Sequence, residues 1–420
     1  MTTPQKANIV NKAISNQGSA EAIDKLPVKP SDPPTIPPKL DPPLIYPILT
    51  LAEEFTGDIA SVEKILDLSG FPFSEEQVIA YQSELGLFPE GGPAALLEDR
   101  DYLRSHIESV KEAVDSIIPD ANYDGYIIID YEDWSLLWHR TEKAYQQEWI
   151  SAWEKTNPQG VAAWRDEGDE IYWHNIAATY NAMTRAFYTA TIQQCKAMRP
   201  GAKWGFYQQV FKPIMVDGTA AKTAMEDNED ISWLFEASDF ICPSLLSPFE
   251  TVSDGTTKIT ESQQTVTHRK EIIKETLKEA SKYGTKYNIP VIPLFWTCHN
   301  GATLDNYQKF CSVETMRATL DSVYENSPHD IFLWYPVSSE IDADAFMKHL
   351  TSDFMTALQL VWREHFGQGT KDDDDKIVQI PVEGGYITPD KSFLVFHSDT
   401  EKVQARMKWE EIDEAKKHIE

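Results

Sequence analysis

Residues 125–138 read GYIIIDYEDWSLLW. Tyr126 to Ile129 form a short aromatic and β-branched run, which reads as a strand buried on both faces. The run ends in Asp130, Tyr131 and Glu132. Side chains alternate along a strand, so the two acids, two positions apart, point to the same side. Two carboxyls on one face at the end of a buried strand carry a desolvation cost unless they are paired, hydrogen-bonded or used. A helix cap or a salt-bridged strand end would satisfy them. Trp134 and Trp138 follow directly and offer the aromatic faces on which sugar rings stack. That combination points to a glycosidase site.

Outward from this strand, apolar runs and helical periodicities alternate. Strands are predicted at 44–48, 77–81, 203–208, 240–246, 290–296 and 330–335. A helix over 99–118 carries Leu103, Ile107, Val110, Val114 and Ile117 on one face, and a longer one over 175–197 turns Ile176, Tyr180, Met183, Phe187 and Cys195 inward. A closing helix is predicted over 343–365. This alternation predicts an α/β protein, a (β/α) TIM-like barrel over residues 44–366. Residues 1–43 include SDPPTIPPKLDPP and read as a disordered or extended Pro-rich arm. Residues 367–376 read as an acidic linker, and 377–420 as a small α+β C-terminal extension with strands at 377–382 and 393–396 and a helix at 409–418.

Composition excludes several classes. With 420 residues, 41% of them hydrophobic, and 12 tryptophans, the chain can build a large core. No run of eighteen apolar residues is present, so no membrane span is expected. A net charge of −29 without a basic stripe argues against nucleic acid. The N-terminal residues lack an apolar secretory core, which favours a cytoplasmic location or a place in an assembly such as a virion over signal-peptide-dependent secretion. Cysteines at 195, 242, 298 and 311 form neither a disulfide framework nor a metal-ligand spacing. Buried thiols are expected at 195 and 242, and a pairing of Cys298 with Cys311 stays open. Neither a metal nor a cofactor is called for.

Ile129-Asp130-Tyr131-Glu132-Asp133-Trp134 resembles the catalytic strand of the animal and venom hyaluronidase family: Asp, an aromatic, Glu, then Trp two places on. Gly86-Leu87-Phe88-Pro89, Met198-Arg199-Pro200 with Trp204-Gly205-Phe206-Tyr207, Ser232-Trp233-Leu234-Phe235 with Pro243-Ser244, and Leu333-Trp334 before Ser338-Ser339 follow in the family's order. The resemblance implies a β-N-acetylhexosaminidase that cleaves a polysaccharide by substrate-assisted retention. Glu132 would be the general acid, Asp130 would hold the substrate's acetamido N–H, and Tyr207 would orient that group. Trp334, Trp134, Tyr131 and Trp296 would bind the sugar.

Three departures bear on the substrate. Ser135 stands where the family has an Arg, Ile272 where it has another, and Leu246 where it has a Tyr. Arg pairs bidentately with a carboxylate, which Ser and Ile cannot do. The losses fall on recognition of an acidic sugar, and a neutral N-acetylhexosamine polymer is the expected substrate. A catalytically weak or inactive barrel serving as a structural or glycan-binding component is the alternative. In either case residues 1–43 or 377–420 could dock a protein partner.

Overall fold

A computed structural model describes residues 45–51, 74, 76–89, 91–213, 221, 223–245, 247–248, 250–251, 257–258, 263–297, 299–300, 310–326, 330–337, 349–366, 380–382, 385–387, 392–396 and 403–408. Outside these lie the 1–43 arm, the 367–376 linker, Leu246, Cys298 and the helix expected at 409–418.

Six parallel strands carry the centre: β1 (Ile45–Leu51), β2 (Gln77–Tyr81), β3 (Tyr126–Asp130), β4 (Lys203–Phe206), β5 (Leu294–Trp296) and β6 (Ile331–Val337). One sheet runs β2–β3–β4 and another β1–β6–β5. Single parallel bridges, Tyr207 to Cys242, Ile241 to Val291 and Ser244 to Leu294, connect β4 to β5 through residues 241–244. On the other side, Ser74 N–H, just before β2, donates to Ile45 O of β1 at 2.9 Å. The strands expected at 240–246 and 290–296 are thus shorter than predicted. Pro243, Pro290 and Pro293 supply only carbonyls, which accept from Leu294, Ile241 and Phe332, and a proline cannot donate the return rung.

Helices pack outside the strands. The principal ones are α1 (Tyr102–Ile117), α2 (Asp169–Met198), α3 (Gln263–Tyr287), α4 (Val313–Asn326) and α5 (Met355–Phe366). The buried face of α1 holds His106, Val110 and Val114. Inside the core, His106 Nε2 pairs with Thr191 Oγ1 at 2.8 Å and its Nδ1 accepts from Leu87 N–H at 2.9 Å. Burial pushes that imidazole down to about 4, so it stays neutral. Arg199 Nε donates to Ile118 O at 2.9 Å, so the MRP segment supplies a donor to the carbonyl end of α1. Between β3 and α2, helices Lys143–Thr156 and Pro158–Asp166 bury Trp149, Trp153 and Trp164. Their rings lie nearly parallel, with centroids 6.4 Å and 5.8 Å apart.

The two faces of β3 enter different cores. Ile127 and Ile129 pack with the helices, against residues such as Val110, Val114, Phe187 and Ile192. Ile128 points the other way and joins Tyr207, Phe240, Cys242, Ile292, Leu294 and Phe332, with Trp334 packed against this group. Cys195 and Cys242 are buried free thiols, as expected. The C-terminal residues form a four-stranded antiparallel sheet, Ile380–Val382, Gly385–Ile387, Ser392–Phe396 and Val403–Lys408, two strands more than the sequence reading gave.

Gly205, in β4, fixes how closely the next segment can approach. A Cβ there would lie 2.8 Å from both the Phe240 ring and the Phe240 carbonyl. Gly205→Ala is expected to destabilise the protein by about 1–3 kcal/mol, since the backbone cannot yield as a side-chain tip could. Urea denaturation decides it, and an unchanged midpoint would show that the strands are less tightly joined.

Candidate active site

Tyr81 pairs with Asp130 at the last rung of the β2–β3 ladder. Because Ile128 faces the inner core, Asp130 and Glu132 follow it at the same two-residue interval and converge at the C-terminal ends of the strands. In parallel α/β folds this end is where reacting groups gather. The two carboxyls hydrogen-bond to each other, and both are held above the ordinary carboxylate range. For Glu132 the largest cause is loss of water around the carboxyl, followed by the negative charge of Asp130 and the hydrogen bond to it. Desolvation also raises Asp130, while its bond with Glu132 opposes the rise. Desolvation and the like charge alongside thus make the pair take up a first proton more readily than a free carboxyl would. As whole residues Glu132 is exposed and Asp130 half-buried, so it is the carboxyl end of Glu132, turned to Asp130, that loses water. The Oδ1 atom of Asp130 is shielded from solvent and accepts no hydrogen bond.

Tyr207 follows β4 directly. Its N–H donates to Ile129 O at 2.9 Å, and its hydroxyl donates to Ser244 Oγ at 3.1 Å. Burial raises the phenol, and the charges of Glu132 and Asp130 add to the rise. Tyr207 thus shares the carboxyls' electrostatic environment and packs in the cluster that half-buries Trp334. The structure brings Asp130, Glu132 and Tyr207 into one electrostatic neighbourhood, and Trp334 packs against the cluster that contains Tyr207. Sequence reasoning missed Ser244 as the partner of Tyr207, although the Pro243-Ser244 motif marked the position.

Three expected sugar-binding residues are corrected. Tyr131 is wholly buried, and its hydroxyl donates to Leu85 O at 2.5 Å. Sitting between two inward-facing acids, it must point outward, where its ring packs on Phe88, Phe187, Tyr188 and Phe206. Trp134 is buried too: its indole N–H donates to Pro89 O at 3.2 Å and its ring stacks on Phe88 at 5.1 Å. Gly86-Leu87-Phe88-Pro89 is the seat for these two aromatics, reached through a left-handed Gly86 (φ 79°). Trp296 is 1% exposed, and its ring lies 5.2 Å from that of Trp334. It supports the neighbouring indole from behind and presents no open face of its own.

Several cations among the described residues are engaged by acids. Asp227, which is buried, takes His139 Nε2 at 2.7 Å and Arg140 Nε at 2.6 Å, tying the segment after β3 to helix Ala224–Asp230. Lys270 Nζ lies 3.7 Å from Asp321 on α4, and Arg269 is buried. Ser135 Oγ accepts from Leu137 N–H at 3.3 Å, while its carbonyl accepts from Tyr180 OH at 2.6 Å.

A like-charged carboxyl pair sharing a proton at the C-terminal edge of parallel strands is an arrangement of glycoside-hydrolase type. Residues 70–322, more than half of the chain, match the Glyco_hydro_56 family, hyaluronidase, and the chain belongs to the hyaluronidase family. It is 22% identical over 273 residues to a hyaluronidase of Apis mellifera, covering 62% of this chain and 65% of that one. To hyaluronidase-1 of Sus scrofa it is 24% identical over 270 residues, covering 61% and 57%. The chain thus spans less than two thirds of the length of these curated relatives. Crystal structures of bee venom hyaluronidase superpose with a TM-score of 0.60 at 19% identity, covering 76% of this chain and 99% of the other, and, for its complex with a hyaluronic acid tetramer, 0.58 at 18%. These likenesses establish a shared fold.

The pair also makes a stability prediction. Raised carboxyl pKa values mean that the folded state disfavours the ionised form. Near pH 4 the folded carboxyls are protonated and those of the unfolded chain about half so, and the cost is small. It grows as the pH rises from the unfolded values to the folded ones and is complete above the latter. Asp130→Asn should therefore gain stability over the parent between about pH 4 and pH 8. Denaturation midpoints at the two ends measure it, and a pH-independent difference would mean that the fold does not raise the proton affinity of the pair.

Proposed function

We propose that this protein is a glycoside hydrolase that cleaves β-linked N-acetylhexosamine polysaccharides by a substrate-assisted, retaining route. The observation that carries the reading is the Oδ1 of Asp130, shielded and without a hydrogen-bond partner among the described residues, beside a Glu132 whose proton affinity is raised. An acetamido N–H is a donor of the kind this oxygen lacks. Glu132 gives its proton to the glycosidic oxygen as the C1–O bond breaks. The substrate's own acetamido oxygen closes on C1, and Asp130 stabilises the positive charge that forms on that group. Glu132, now a carboxylate, takes a proton from the incoming water, whose oxygen bonds to C1 and opens the ring. Tyr207, held by Ser244, orients the acetamido group, and Trp334 walls the sugar.

The same reading treats the two parallel sheets and their bridges as one (β/α) barrel over residues 44–366. The C-terminal strands would be a separate unit, which with residues 1–43 offers a place for a protein partner. Substrate preference follows from the engaged cations and from Ser135 and Ile272, together with a net charge of −29. A neutral N-acetylhexosamine polymer should bind better than hyaluronan, because each missing charge-assisted bond forfeits about 1.5–3 kcal/mol with an acidic sugar.

Three measurements test this. Glu132→Gln should reduce hydrolysis by roughly 10²–10⁴-fold, because Gln keeps the shape and has no proton to give. Activity within about threefold of the parent would remove Glu132 from the mechanism. Hydrolysis should be lost as the pH rises through the value of Glu132, pushed up to about 7, and should also fall in acid as Asp130 takes a second proton. Reducing-end release from chitin oligomers, chondroitin and hyaluronan at one ionic strength decides the substrate. A clear preference for hyaluronan would overturn the neutral-polymer reading and would implicate Lys212, which follows β4.

A further inference from the structure

The peptide that carries Glu132 lies beyond the ordered ladder. The last β2–β3 contact is Gln82 N–H donating to Asp130 O at 3.0 Å. On the other side, Tyr207 N–H, after β4, donates to Ile129 O at 2.9 Å, and further along Tyr131 O accepts from the side chains of Gln209 (Nε2, 3.4 Å) and Tyr188 (OH, 3.5 Å), which leaves the N–H side of the Tyr131–Glu132 peptide to β2. The N–H groups of Glu132 and Asp133 therefore have no strand to pair with, and an unpaired backbone donor leaves the chain free to turn. One side chain takes both. Gln82 Oε1 accepts from Glu132 N–H at 3.0 Å and from Asp133 N–H at 3.4 Å. Gln82 thus grips β3 twice, through its backbone before the acid and through its side chain at the acid. Nothing in the fold of β2 requires this, since the strand is already complete at Tyr81.

We infer that Gln82 is a positioning residue for Glu132: its amide oxygen fixes the peptide on which the acid rides, and so holds that carboxyl against Asp130. This rests on Glu132 as the acid of the proposed reaction, and it adds a residue that acts only through it. The groups facing Glu132 are Asp130 and Asp133 on its own segment, Tyr207 after β4 and Tyr188 on α2. None of these is a cation, so the affinity of Glu132 for its proton depends on how far its carboxyl is kept from water and how near Asp130. A loosened peptide lets the carboxyl swing to water, where its proton is held less tightly.

The test compares Gln82→Ala and Gln82→Glu with the parent, by activity and by the ¹³C titration of the Glu132 carboxyl, assigned by its disappearance in Glu132→Gln. Gln82→Ala should lower kcat roughly ten- to a hundredfold with little change in KM. It should also move the Glu132 titration, and with it the alkaline limb of the pH profile, down by about one pH unit. Gln82→Glu keeps an acceptor for both N–H groups and adds a negative charge, so it should retain most of kcat and move the same titration upward. A loss of activity in Gln82→Ala with the titration unmoved would mean that Gln82 only supports the fold, and would overturn the inference. So would full activity in that variant. If Gln82→Ala does not fold, Gln82→Met, which keeps the length and removes the acceptor, decides: a downward shift supports positioning and an unchanged titration refutes it. If the parent cleaves none of the polymers, the proposed function fails, yet the titration still decides the role of Gln82.

Discussion

Everything in the site depends on the closeness of two acids, one at the end of β3 and one just past it. Asp130 and Glu132 are close because a pleated chain returns each second side chain to the same face. They can hold one proton between them because water is displaced and a like charge sits alongside. The rest of the molecule maintains that closeness: Ile127 and Ile129 anchor the strand to the helical layer, and Ile128 anchors it to the inner core. A strand fixed on both faces cannot rotate to relieve the repulsion of its acids, so the strain appears as proton affinity.

The aromatic residues around the site divide into two sets with opposite duties. Tyr131 and Trp134 lie behind the strand and, with Phe88 and Phe187, form a wall that sets its depth. Tyr207 and Trp334 lie in front, in the cluster that contains Ile128. Front and back are separated by one backbone thickness, so composition alone cannot distinguish a sugar platform from its foundation.

Much of the fold was legible in local pattern. The limits of β2 were read to the residue, and the run ending at Ile129 was read as a doubly buried strand, because both are continuous apolar stretches. The start of α2 was placed six residues late, since its first turns carry charge and show little apolar periodicity. The segments around Pro243 and Pro290 looked like full strands because sequence records apolar character and not lost donors. Two C-terminal strands were overlooked, although Val403, Ala405 and Met407 alternate with Gln404, Arg406 and Lys408. At the site, alternation already implied that Tyr131 faces away from the acids, and the resemblance to a sugar-cleaving family drew it into the pocket all the same. The clasp of Gln82 on Glu132 was out of reach, because it joins residues 50 positions apart and no pattern within either segment records it.

The stacked indoles of Trp149, Trp153 and Trp164 give the protein an optical signature. Three nearly parallel chromophores at such separations couple their transitions, so the helical layer between β3 and α2 should have its own circular-dichroism band. Trp296 and Trp334 sit apart from that stack, as a tilted pair at the cluster that contains Tyr207. Light absorbed by the same residue type therefore reports on two regions of one molecule, one that gauges the integrity of the scaffold and one that senses what enters the cleft.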